Sequence, residues 1–331
     1  MVELCGADSS PKCVFIGGCG RSGTTMLGSA LGAADRAIVT QESQFKLRLL
    51  KKIFEAKTPL SAPEMYEAIA NDRKFIALWQ MKPEVRSQDA ATDMMGTARR
   101  VIFDVVDQYA AALQRSNWAY WIDHTPENIR YISELLAFSP DAKFIHLIRD
   151  GRAVAASVLP LDWGPNDAQH AGRWWIREIA FGLAAEKRYP DRVLQVRYED
   201  LVTAPERTLR TICGFLGIDF VPAMVSANAL SAPGYTRRQH QLVGSTITSS
   251  QVSTWRSKLT EQQIAVFEAE AGEMLGMLGY KCVITDRSKC PGPTQLVLIK
   301  IWALIQRQLN QRRQRAREDR AIGNFAGPMR G

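Results

Sequence analysis

The chain has 331 residues, 46% hydrophobic and 23% charged, with a formal net charge of +8. That length fits about two domains or one large α/β domain with appended segments, and the composition excludes a disordered chain. Six cysteines without a C-x-x-C pair and only four histidines exclude a dense disulfide framework and a zinc ribbon. Met1–Ser10 carries Glu3 and Asp8 and no long apolar run, so no signal peptide is expected at the start. No stretch reaches the ~20 apolar residues of a membrane span. These features predict a soluble protein of a reducing compartment, the cytoplasm. The eight basic residues from Lys300 onward face only Glu318 and Asp319, so most of the net charge belongs to the tail. The basic balance therefore does not point to a nucleic-acid-binding core, and no nucleic-acid partner is expected.

In chain order, Cys13–Ile16 is a short apolar run ending in glycines and predicts a buried strand, followed by a helix over Thr24–Leu31. Ala37–Thr40 predicts a second strand. From Phe45 to about Arg115 the pattern is helical, polar-rich and interrupted at Pro59, Pro63 and Pro83, which predicts an inserted helical region facing the substrate. Trp118–Ile122, Lys143–Ile148 and Arg192–Arg197 predict three further strands, with helical sequence over Glu127–Phe138. Leu209, Ile212, Cys213 and Leu216 share one helical face, as do Ile264, Phe267, Ala271, Met274 and Leu278 before Gly279. Strands alternating with helices predict an α/β fold: a central, mainly parallel sheet covered on both faces. Pro291-Gly-Pro293 predicts a boundary before a C-terminal helix.

The segment Gly17-Gly-Cys-Gly-Arg-Ser-Gly-Thr-Thr25 follows a strand and opens a helix. Its glycines and the free N–H groups of the helix start suit a phosphate-like anion. As a Walker A loop it fails, because Thr24 stands where the lysine should be. Gly18-x-Gly20-x-x-Gly23, with Glu42 about 20 residues on, is formally a dinucleotide fingerprint. A hydride enzyme, however, has no need of Arg21 inside the loop. Arg21 with the hydroxyls of Ser22, Thr24 and Thr25 suits a doubly charged phosphosulfate. A second anion element follows the fourth strand, where Arg149 and Ser157 bracket the start of the next helix. Neither a kinase nor a dehydrogenase requires it.

At this point the chain resembles the sulfotransferase family, in particular the branch of tyrosylprotein sulfotransferases and related bacterial enzymes. Arg21-Ser-Gly-Thr-Thr25 is similar to its 5′-phosphosulfate loop, and Arg149-Asp-Gly-Arg152 through Ser157 to its 3′-phosphate element. Trp121-Ile-Asp-His-Thr-Pro126, Arg197-Tyr-Glu-Asp-Leu-Val202 and Ser253-Thr-Trp-Arg256 before Leu-Gly-Tyr280 follow in the family's order. The resemblance covers roughly residues 12 to 281.

It implies a P-loop NTPase-like three-layer fold and sulfuryl transfer from 3′-phosphoadenosine 5′-phosphosulfate (PAPS) to a hydroxyl-bearing acceptor. Peptide tyrosine, glycan, lipid and small alcohol remain open. It also implies a sulfotransferase domain over 12–290, with the helical insertion at about 45–115. The donor-binding set is Arg21, Ser22, Gly23, Thr24, Thr25, Arg149, Ser157, Tyr198 and Ser253, and no metal is needed. Arg21 would stabilise the leaving oxygen and Glu42 would be the general base. His124 stands where relatives often carry lysine; if protonated it would donate to the transferring group, and otherwise it would compete with Glu42 as base. Blander roles remain for several residues: an N-terminal cap for Glu42, pairing with Asp150 or Asp200 for Arg149, and packing for Tyr198 and Trp174-Trp175. Two rival functions also remain, a non-catalytic anion-binding scaffold of the same fold and a dinucleotide-dependent oxidoreductase.

Residues 291–331 form a last unit. Leu298, Ile301, Trp302, Ile305 and Leu309 share a helical face followed by arginines. This predicts a helix docked on the core, on a second copy in a homodimer, or peripherally on the inner face of a membrane. Acceptor recognition is expected from residues 45–115 and from the loops Pro160–Gln169 and Pro233–Ser250.

Overall fold

The computed structural model describes residues 11–87, 93–226, 230, 249, 252–284 and 292–325. Five strands, β1 (Lys12–Gly18), β2 (Ala37–Val39), β3 (Tyr120–Asp123), β4 (Lys143–Ile148) and β5 (Val193–Arg197), form one sheet in the order β2-β3-β1-β4-β5. All four pairings are parallel, with Phe15 opposite Asp123 and Phe144, and Ile148 opposite Arg197. β1 is therefore central, and the chain leaves it in both directions. Ligands of open parallel sheets bind where such a reversal opens a crevice beyond the strand C-termini.

The alternation of strand side chains builds the two flanking layers. Cys13, Phe15, Trp121 and Phe144 face one side, where they meet α2 (Gln44–Glu55), α3 (Ala62–Ala70), α4 (Arg73–Trp79), α5 (Met94–Ala112) and α6 (Ile132–Phe138). Val14, Ile16, Ile122, Ile145 and Leu147 face the other, against α1 (Thr24–Leu31), α9 (Tyr198–Thr203) and α10 (Pro205–Leu216). A third apolar cluster joins α7 (Gly151–Val158) and α8 (Ala168–Arg188) to α11 (Trp255–Lys258) and α12 (Glu261–Met277). The last element is α13 (Pro293–Phe325).

The helices start where the sequence caps them. Ser61 and Glu64 form a reciprocal capping box on α3, with Pro63 in the first turn, so this proline opens a helix rather than breaking one. Asp72, Asp93, Asp150 and Asp167 cap α4, α5, α7 and α8 through their carboxylates. Two expected boundaries shift. The stretch predicted as one helix over Glu127–Phe138 is a 3₁₀ turn, Pro126–Arg130, followed by α6, and the third strand begins at Tyr120 rather than Trp118. The 21-residue α8 and the short α9 were not anticipated from the sequence.

Candidate active site

Each of the five strands delivers one candidate residue just beyond its C-terminal end: Arg21 after β1, Glu42 after β2, His124 after β3, Arg149 after β4 and Tyr198 after β5. All five line one cleft of about 1220 Å³. A parallel sheet with β1 at its centre converges these loops on one edge, which explains why residues so distant in sequence meet.

The loop after β1 is held by a tight turn, Ser22 N–H donating to Cys19 O at 3.1 Å. Arg21 has φ 72° and Gly23 has φ 99°, and a Cβ on Gly23 would lie 2.8 Å from the Tyr198 ring. Gly23 is thus required twice, for its left-handed backbone and for the ring packed upon it. It caps α1 without a side-chain bond, and the first intrahelical bond runs from Leu27 N to Gly23 O. The N–H groups ahead of Leu27 therefore have no intrahelical acceptor and form an anion-facing helix start. Thr24 and Thr25 line the cleft there. Ser22 does not line it; its Oγ is buried and without a hydrogen-bond partner.

The two arginines expected in separate anion elements belong to one assembly. Arg149 donates from Nη1 to the Arg21 carbonyl at 2.9 Å, and Arg21 Nε donates to Ser157 Oγ at 3.1 Å. The Arg149 guanidinium stacks 4.1 Å over the Tyr198 ring, and its buried Nε has no hydrogen-bond partner among the described residues. Asp150 does not neutralise Arg149: its carboxylate caps α7 and pairs with Arg152, which also binds Glu268. Burial, aided by the neighbouring Arg149 charge and opposed by Glu42, holds the Arg21 guanidinium below the ordinary arginine range. An anion between the two guanidiniums relieves both costs.

Glu42 is half-buried at the cleft wall. Its Oε2 accepts from Gln44 Nε2 at 2.6 Å and its carbonyl from Trp79 Nε1 at 3.0 Å. Glu42 is not a helix cap, since α2 is capped at Ser43. Burial pushes its carboxyl pKa up; Lys74 opposes this, and the like charge of Glu127 adds to it. His124 is buried against Gly28 of α1, with the Thr40 backbone beside its ring and no side-chain partner for either ring nitrogen among the described residues. Burial holds its pKa below the ordinary 6.5, so the ring is neutral at pH 7 and does not reproduce the fixed charge of a lysine.

Other residues fall elsewhere. Ser253 is exposed and outside the cleft lining, which Thr254 and Lys258 reach instead. Trp255 is in the core, stacked 4.2 Å from the Arg152 guanidinium. Trp174 is a cleft wall over Gly20, whereas Trp175 is core and donates to the Arg149 carbonyl at 3.1 Å. Of the loops expected to read an acceptor, Pro160–Asp167 lines the cleft, and 233–248 lies outside the described residues.

One feature escaped the sequence reading, a buried network behind the site. Lys46 pairs with Asp123 and donates to Ser43 Oγ at 3.0 Å and Asn128 Oδ1 at 2.7 Å. Its sequence signal was present, because Lys46, Leu49, Leu50 and Ile53 share an i, i+3, i+4, i+7 face, which demands a buried partner for the lysine. α13 docks on the core, the first of the placements expected for the last helix. Asn310 donates to Asn166 Oδ1 at 2.9 Å, Arg317 pairs with Asp162 at 3.0 Å, and Asp319 pairs with Arg73 on α4. The helix thus ties the loop after α7 to the helical insertion, and Leu304, Arg307, Gln311 and Gln314 line the cleft from its side.

A model of the sulfotransferase family matches residues 11–222. The chain belongs to the sulfotransferase family. Among relatives, protein-tyrosine sulfotransferase 1 of Danio rerio is 23% identical over 282 residues, which is 81% of this chain and 72% of that protein. Carbohydrate sulfotransferase 2 of Mus musculus is 35% identical over 189 residues, covering 43% of this chain and 36% of that one. Among solved structures, the sulfotransferase domain of the Synechococcus PCC 7002 olefin synthase superposes with a TM-score of 0.56 at 22% identity, covering 83% of this chain and 98% of that domain. The α/β, P-loop-like three-layer fold of this sulfotransferase is thereby shared with a solved member of the family, and the chain is an enzyme of sulfuryl transfer.

Proposed function

We propose that this sulfotransferase moves the sulfuryl group of PAPS in line to a hydroxyl of an organic acceptor, with Glu42 as general base. The observation that carries the donor assignment is the joined pair of guanidiniums. Arg21 and Arg149, linked through a backbone carbonyl and flanked by Ser157 and the α1 N-terminus, form one basic groove. A bis-anionic nucleotide would find cationic and hydroxyl partners for both of its anionic groups there. Arg149 and Ser157 would hold the 3′-phosphate, with Tyr198 fixing the guanidinium plane. Thr24, Thr25 and the loop N–H groups would hold the 5′-phosphate. As the bond from sulfur to the 5′-phosphate oxygen breaks and the bond to the acceptor oxygen forms, Arg21 neutralises charge on the leaving oxygen and Glu42 takes the acceptor proton. The relatives named for protein tyrosine and for carbohydrate support a hydroxyl-bearing acceptor.

The donor reading is tested without knowing the acceptor. 3′-Phosphoadenosine 5′-phosphate (PAP) at about 100 times its Kd is expected to stabilise the folded chain by about 2.7 kcal/mol, seen as a raised Tm, while NAD(H) leaves Tm unchanged. Arg149→Ala is expected to weaken PAP about 10- to 100-fold, the worth of one lost charge-assisted hydrogen-bonding group. A shift with NAD(H) equal to that with PAP, or none with either, removes the assignment.

A further inference from the structure

We propose that the outward face of α13 is a docking surface for an anionic lipid bilayer. Ile301, Trp302, Leu304, Ile305 and Leu309 are 40 to 62% exposed. They fall within nine residues, about 13 Å of helix. At 100° per residue they occupy one arc, opposite the side on which Asn310, Arg317 and Ala321 meet the body and Ala303 and Gln314 line the cleft. Elsewhere among the described residues the large exposed apolar side chains, such as Phe54, Leu113 and Phe181, are scattered singly. Along the same outward side the next turns carry exposed Arg312, Arg315 and Arg320. An apolar segment followed by guanidiniums on one face is the pattern of a helix lying in the plane of a membrane interface, its apolar end among acyl chains and its arginines at anionic headgroups.

The charge pattern also argues against a second copy of this chain as the occupant. Antiparallel pairing of two such faces sets each arginine half against the other's apolar half, and parallel pairing sets arginine against arginine. Among the described residues no helix is long and apolar enough to cross a membrane, so the contact is peripheral. Leu304 and Arg307 belong to both the helix and the cleft lining, so docking sets the cleft mouth against the lipid surface.

The test is co-sedimentation of the full chain with vesicles of phosphatidylcholine carrying about 30 mol% phosphatidylglycerol, an anionic surface of the kind that attracts basic segments. The chain is expected to pellet with these vesicles at low salt, to be released at high salt, and to stay in solution with pure phosphatidylcholine. Ile305→Glu and Leu309→Glu, both at exposed positions outside the cleft lining, are expected to lower the bound fraction at least tenfold while leaving stabilisation by PAP unchanged. Arg312→Glu with Arg315→Glu is expected to abolish the salt-sensitive part. Failure of the unmodified chain to pellet, equal binding of the Glu variants, or a dimer in solution that Ile305→Glu converts to monomer would each overturn the proposal. None of these readouts depends on the donor assignment, so either reading can fail alone.

Discussion

Glu42→Gln is expected to lower the rate of sulfuryl transfer about 10²- to 10⁴-fold, the usual worth of a general base, while PAP affinity stays within about twofold. The substitution keeps the shape of the side chain and its contact with Gln44, and removes only the capacity to take a proton. Direction in pH follows from the surroundings. Burial raises the Glu42 pKa and Glu127 adds to this, while Lys74, the Gln44 hydrogen bond and the Arg21 charge oppose it. The base must be ionised, so the rate climbs with pH through a limb lying above the ordinary carboxylate value of 4.5, and Glu42→Gln abolishes that limb. Lys74→Met withdraws the opposing charge and moves the limb upward. His124 is the rival, its own pKa lowered by burial, and the two limbs can overlap. The pair of variants decides between them. If His124→Asn erases the limb and Glu42→Gln retains it, the base is His124.

The sequence and the structure agree most where the physics is local. The apolar run of β1 with the glycines after it and the end of β4 just before Arg149 are written in neighbouring residues, so the central sheet and its anion loop were legible. The meeting of Arg21 with Arg149 was foreseeable only as a consequence of strand order, because no local pattern says that β1 and β4 are neighbours. The motif echoes turn out to differ in kind. Arg197 stacks 4.4 Å on Tyr280 and donates to the Leu278 carbonyl, and Glu199 accepts from both Asp150 N–H and Tyr280 Oη. Arg152 is likewise enclosed by carboxylates. These residues brace the strand ends from behind, while Arg21, Arg149 and Glu42 face the cleft. A list of matching residues cannot separate the two groups, since both are polar and both follow strands. The role of α13 was illegible for another reason: its helical period shows that it has two faces but not which part of the fold receives one of them.

Lys46→Met is expected to cost about 3–5 kcal/mol of folding stability, the penalty for leaving a buried charge without its partner, and to lower Tm by roughly 4–7 °C. Lys46 and Asp123 are both fully buried. Burial alone would push the Asp123 pKa up, yet the Lys46 charge, with hydrogen bonds from Lys46, Ser43 and Thr125, holds it below 3.8. A carboxylate with a depressed folded-state pKa contributes stability above its unfolded pKa and loses it as pH falls through the folded value. In Lys46→Met the carboxylate can instead take up a proton, so the stability gap between the two chains is widest near neutrality and narrows on acidification. Asp123→Asn in the Lys46→Met background removes the stranded charge and is expected to restore part of the loss. The network also reaches the chemistry. Ser43 follows Glu42 and donates to Asp123 Oδ2, Asp123 precedes His124, and Ser43 N–H donates to Thr125 Oγ1 at 2.7 Å. The two candidate proton acceptors are thus mounted on one buried knot, and in the double variant kcat should fall even where the fold has recovered. Recovery of both Tm and kcat would show that Glu42 and His124 are held by other contacts, and a Tm within about 1 °C of the unmodified chain for Lys46→Met alone would show that the pair does not hold the fold.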